Sequence, residues 1–201
     1  MFHALIPFEE MDQFSDMALV VEGRKLHVNK AYLMMHSPVF HRMFTSNFKE
    51  KNLMEVPLPG KKYSEVSELL KQIYPGEPID LLNDESLPHL LKLADEYDMR
   101  QVFHNCQQHI LKNLIDKSRL STDRVLFYLG IVEKYERLSS LRETLIDLAS
   151  RIFTKDLEKS KHFPNVPATA MRDALFLRLK RIESTQYASF FGDINPCLWR
   201  P

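Results

Sequence analysis

The chain has 201 residues, 44% hydrophobic and 27% charged, enough to bury a substantial core as one large domain or two small ones. Lys+Arg and Asp+Glu balance at 27 each, so no global field favours nucleic acid or an anionic membrane surface. No apolar run approaches about 18 residues, which argues against a membrane-spanning helix, and the opening MFHALIPFEEMDQF lacks the basic and long apolar regions of a secretory signal. Two cysteines, Cys106 and Cys197, are too few for a disulfide-built fold and fit a reducing compartment. The five glycines stand apart from one another, so a glycine-rich phosphate loop has no support.

In chain order, Asp16–Glu22 is a short apolar run closed by Glu22-Gly23, and Lys25–Val28 resumes as a strand, which predicts a β-hairpin. Asn29 is placed to cap a helix over Lys30–His36. Ser37-Pro38 starts another, serine as N-cap and proline at the first helical position, with Val39, Phe40, Met43 and Phe44 on one face. The polar stretch SNFKEKN (46–52) follows, with Phe48 alone at its centre. Met54–Leu58 is strand-like, and Pro57 argues for a sheet edge. Amphipathic helices are predicted over Tyr63–Tyr74, stopped by Pro75-Gly76, then Leu87–Tyr97 and Met99–Leu114. Few short strands followed by helices define an α+β domain.

The remainder is expected to be entirely helical. Val125–Tyr135 is strongly apolar, and Ser140-Leu-Arg-Glu143 has the capping-box spacing. That box predicts a helix with Leu141, Leu145, Leu148, Ala149, Ile152 and Phe153 inward. Pro164 and Pro167 interrupt the chain before a helix over Ala168–Ile182, whose polar face would hold Arg172, Arg178, Lys180 and Arg181. These four could touch an acidic partner or simply face solvent. The final stretch, STQYASFFGDINPCLWRP, shows no periodicity, and its aromatics, Tyr187, Phe190, Phe191 and Trp199, favour packing of at least part of it.

Catalytic and metal chemistry find little footing. His104 and His109 lie about 140° apart on a helix and do not converge, while Cys106 falls in the apolar stripe as a small buried hydrophobe. Ser37, flanked by His36 and His41, is already explained as a helix cap rather than a nucleophile. No catalytic residue, metal site or cofactor is expected.

FSDMALVVEGRKLHVNKAYLMMHSPVFHRMF, Phe14–Phe44, resembles the BTB/POZ family, through Ser15-Asp16-Met17, Ser37-Pro38-Val39-Phe40 and Met43-Phe44. Leu69–Gly76 and Leu90–Asp98 resemble its later helical segments, and the version most similar is the BTB domain that follows a MATH domain in ubiquitin-ligase adaptors. The resemblance implies an N-terminal arm (1–13), a BTB/POZ fold (14–114), an all-α BACK-like extension (115–185) and a tail (186–201).

It also implies a role. Phe48-Lys49-Glu50 matches in type and position the apolar-x-Glu motif with which such adaptors resemble one another in recruiting cullin-3, and Tyr97 and Asp98 would line the same face. A loop aromatic can anchor in a partner's pocket, beside a carboxylate that selects the partner. Phe48 could equally fold back under its own loop. Asp16 and Lys30 match the groove positions of transcriptional BTB proteins, although Asn29 stands where the family has histidine. Leu5, Ile6 and Phe8 are the candidates for a homodimer contact, in an arm that Pro7 interrupts. The implied protein is a non-catalytic adaptor between a cullin-3 ubiquitin ligase and a substrate protein, cytoplasmic or nuclear. A homotypic or transcription-related BTB scaffold is the alternative.

Overall fold

The structure, a computed structural model, describes residues 8–46, 53–74, 82–116 and 120–191, with side chains as far as 185. The chain forms two compact units, 1–110 and 111–201, with the division inside one helix.

The first unit is built on a three-stranded sheet of order β2-β1-β3. β1 (Met17–Val21) and β2 (Arg24–Val28) pair antiparallel, Met17 opposite Val28 and Val21 opposite Arg24. Glu22 and Gly23, with φ of 51° and 75°, make the two-residue turn whose twist suits a hairpin. The predicted hairpin and its turn are therefore both present. β3 (Glu55–Pro57) lies parallel to β1, so Pro57 sits on an edge strand, where its missing N–H does no harm.

The helices α1 (Lys30–His36), α2 (Pro38–Thr45), α3 (Tyr63–Lys71), α4 (Leu87–Glu96) and α5 (Arg100–Ile115) fall close to their predicted ranges. Their inward side chains, among them Leu33, Phe40, Leu69, Leu90 and Met99, close over Leu19, Val21 and Leu26, all at most 1% exposed. Phe8, offered above as a dimer contact, is instead committed to its own chain. It is buried, its ring meets Tyr74 edge-on at 5.1 Å, and its carbonyl accepts from His27 N at 2.6 Å. Leu5 and Ile6 lie outside the described residues.

The second unit contains α6 (Thr122–Val132), α7 (Arg142–Arg151), α8 (Thr154–Lys159) and α9 (Ala168–Phe191). Three expectations need correction. The capping box at Ser140 does not form: Ser140 lies in a 3-10 turn, Glu136–Leu141, and α7 begins after Leu141 without a side-chain cap. Phe153 is not inward but 63% exposed, because α7 stops at Arg151 and Ile152-Phe153 are extended before α8. The last helix continues to Phe191, well into the segment expected to be aperiodic.

The four basic residues of α9 also do not share a solvated face. Arg178 reaches the Ile152 carbonyl, and Arg181 reaches Ser150 Oγ and Asp147, all on or just beyond α7. They can do so because the inward positions of α9 include the small, fully buried Ala170 and Ala174, which let α7 approach closely. Arg142 adds a second tie, from Glu133 at 2.6 Å to Asp173 at 2.7 Å. At Gly130 of α6 an added Cβ would lie 3.2 Å from the Asn165 carbonyl, so this helix packs tightly on the Phe163–Asn165 turn.

No helix among the described residues is long and apolar enough to cross a membrane. Cys106 is fully buried within the first unit, and burial pushes its thiol up to about 12. Because the reactive form is the thiolate, Cys106 is expected to resist iodoacetamide in the native protein at pH 8 and to label fully in denaturant. Peptide mapping by mass spectrometry reads both states.

Candidate functional site

The candidate face is organised around the corner between α1 and α2. Asn29 caps α1: its Oδ1 accepts from Tyr32 N at 2.9 Å and its Nδ2 donates to the Phe14 carbonyl at 2.8 Å. Its backbone N–H donates to Tyr74 Oη at 2.8 Å. Asp16 Oδ1 accepts from the backbone N–H of Lys30 at 2.6 Å, and the Lys30 ammonium lies 5.1 Å from the centre of the Phe44 ring. The structure thus brings Asp16 and Lys30 together through the start of α1. Beside them a cavity of about 320 Å³ is lined by Asp12, Phe14, His27, Asn29, Tyr32 and Tyr74. The Tyr32 and Tyr74 rings lie 4.6 Å apart, and burial raises both phenols above their usual range, Tyr74 to about 12.

Ser37 performs two tasks with one hydroxyl. Its Oγ accepts from Phe40 N at 3.0 Å, capping α2, and donates to the Tyr97 carbonyl at 2.5 Å. Tyr97 ends α4, and its ring stacks on Phe40 at 4.7 Å with the planes 4° apart, while Phe40 stacks in turn on Phe44 at 5.6 Å. With only 5% of its surface exposed, Tyr97 presents no ring to a partner, and burial holds its phenol well above the usual range. It positions α2 from beneath.

Asp98 is placed by helix termination. With φ of 52° it takes the left-handed position after α4. Met99 N donates to the Ala94 carbonyl at 2.8 Å and Asp98 N to the Asp95 carbonyl at 3.3 Å, the paired bonds of a Schellman ending. Asp98 stands where glycine is the usual residue, and it is half-buried.

Phe48, Lys49 and Glu50 lie outside the described residues, but the segments that flank them do not. α2 ends with Ser46 N bonded to the Arg42 carbonyl at 3.0 Å. The chain is described again at Leu53, and Met54 O accepts from Ala18 N of β1 at 2.8 Å. Leu53 and Met54 are 42% and 66% exposed, two apolar side chains next to the motif that sequence reasoning assigned to a strand. A strand was expected from Met54; pairing begins only at Glu55, which leaves Met54 facing solvent.

Comparison with known proteins agrees with this architecture. The profile of the BTB/POZ domain matches residues 5–114. BTB and MATH domain-containing protein 38 of Caenorhabditis elegans is 41% identical over 97 residues, 48% of this chain and 24% of that protein. BTB and MATH domain-containing protein 36 of the same organism is 31% identical over 154 residues, 77% of this chain and 44% of that protein. Kelch repeat and BTB domain-containing protein A55 of Vaccinia virus (strain Western Reserve) is 32% identical over 111 residues, 55% of this chain and 19% of that protein. The chain therefore belongs to the BTB/POZ family, a class of protein-binding modules. It spans less than half the length of each of these relatives.

Two substitutions check the site's construction. Ser37→Ala removes the cap and leaves a buried carbonyl unmatched, so urea denaturation is expected to show a loss of about 1–3 kcal/mol. Asp98→Val puts a β-branched residue in the left-handed region and is expected to cost about 1–2 kcal/mol, while Asp98→Gly keeps the backbone turn.

Proposed function

We propose that the protein is a non-catalytic adaptor that docks a cullin-3 type ubiquitin-ligase scaffold through the loop between α2 and β3 and presents a substrate protein to it. The observation that carries this reading is Phe48-Lys49-Glu50, an apolar residue and a carboxylate two places apart, in a loop whose two ends are anchored by α2 and by the β1 pairing. Fixed ends limit the entropy lost on binding. The exposed Leu53 and Met54 extend the apolar surface available to a partner. Phe48 would be the anchor and Glu50 the selective contact at the rim, with Lys49 between them. Asp98 borders the face and Tyr97 supports it from within.

Membership of the BTB/POZ family, and relatives whose names pair BTB with MATH or Kelch modules, support an adaptor role. In this reading the second unit is a BACK-like extension, the chain acts in the cytoplasm or nucleus, and bond chemistry belongs to the recruited ligase.

Binding of purified cullin-3 to wild type, Phe48→Ala and Glu50→Lys tests the reading. Loss of a hot-spot side chain of about 2 kcal/mol corresponds to roughly thirtyfold weaker binding, and each variant is expected to fall by at least tenfold. Undiminished binding by both variants, or none by folded wild type, would overturn it and leave a homotypic scaffold using the Asp16–Lys30 groove.

A further inference from the structure

α9 has two apolar faces, and the second unit uses only one. Ala170, Met171 and Ala174 are buried, and Arg178 and Arg181 turn toward α7 with them. The opposite face carries Leu175, Phe176, Leu179 and Ile182, which are 36%, 59%, 55% and 45% exposed. Four large apolar side chains in two turns of one helix form a contiguous patch of the kind that marks an interaction surface. A groove of about 580 Å³ runs beside it, floored by Phe163, Val166 and Met171. A helix that is apolar on both sides is built to be covered on both sides.

The charges at the ends of this face identify what covers it. At 100° per residue, Arg172, Leu179 and Glu183 project within about 40° of one another, with Arg172 and Glu183 about 16 Å apart along the axis. Arg172 is 73% exposed, and its bonds go only to the adjacent Asp173, whose other oxygen is held by Arg142. Glu183 is exposed and has no hydrogen-bond or ion-pair partner among the described residues. A cation at one end and an anion at the other, flanking an apolar centre, is a self-complementary pattern. Turned end for end, a second α9 sets its Glu183 opposite Arg172 and its Leu179 opposite Phe176, and the reverse contacts follow by symmetry. That reciprocity is what a two-fold interface requires.

We propose that the outward face of α9 is a contact between two copies of this chain, with the helices antiparallel and centred between Phe176 and Leu179. The proposal does not depend on cullin binding. Four partly exposed side chains fall short of the roughly 800 Å² per partner that stable complexes bury, so the contact is weak and concentration-dependent. It would add to any association the first unit makes.

A charge-reversal cycle tests it by sedimentation velocity of the full chain across a concentration series. Wild type is expected to show a rising weight-average sedimentation coefficient. Arg172→Glu and Glu183→Arg each place like charges opposite one another at both symmetry-related positions. Each is expected to raise the half-association concentration by about tenfold or more. The double variant R172E/E183R restores the pairing and is expected to return to near wild type, while Phe176→Asp removes the contact. Neither charged residue belongs to the first unit, so association elsewhere is common to all the proteins, and circular dichroism confirms that each is folded. The proposal is overturned if wild type shows no concentration dependence, if the single reversals leave it unchanged, or if the double variant stays as weak as the singles. Insensitivity to all four substitutions would assign the face to a different protein.

Discussion

One buried hydroxyl connects the parts of the first unit on which its binding face depends. Ser37 starts α2 by accepting from Phe40 N and fixes the end of α4 by donating to the Tyr97 carbonyl. Donation and acceptance by the same oxygen make the two events interdependent: α2 is correctly capped only where α4 has ended in the right place. The stack of Tyr97 on Phe40 and of Phe40 on Phe44 then carries that alignment along α2 toward its C-terminal end, where the candidate docking loop departs. A hydroxyl with neither role fulfilled would be an unsatisfied polar group in a dry environment, which is why the arrangement is strongly specified.

Local signals in the sequence were enough for the elements that local chemistry decides. Glu22-Gly23 gave the hairpin turn, Asn29 and Ser37 gave the starts of α1 and α2, and Pro57 marked an edge strand. The second partner of Ser37 was not legible, because a carbonyl 60 positions away leaves no trace in spacing. Nor was the inward turn of Tyr97, since an aromatic at a helix end can face either way until its stacking partner is placed. Asp98 concealed a left-handed ending behind a residue that tolerates that conformation less readily than glycine. The motif Phe48-Lys49-Glu50 owes its meaning to family resemblance; composition and periodicity alone single out only an aromatic in a polar stretch.

The second unit shows where pattern reasoning fails for a physical reason. The Ser140–Glu143 spacing satisfied a capping box, yet a 3-10 turn took up those residues and α7 started later. Along α9, four basic residues suggested one solvated side, whereas long side chains can double back. Arg178 and Arg181 turn toward α7, and the leucines and Phe176 are left outside. Side-chain length decides this outcome: small alanines bring the helices close, and an arginine then spans the gap to a carboxylate or carbonyl on the neighbour.

This mode of attachment has a further effect. α9 is held to its neighbours partly by Arg142, Asp147, Asp173 and Arg181, charges that remain about a third exposed, rather than by interlocking large hydrophobes alone. Attraction between such groups is screened by dissolved ions, whereas contacts such as those among Leu19, Leu26 and Phe40 are not. Ionic strength therefore acts unequally along one polypeptide. Rising salt loosens the seat of the last helix and leaves the sheet-centred unit firm, so the surrounding electrolyte sets how rigidly the outer face of α9 is presented.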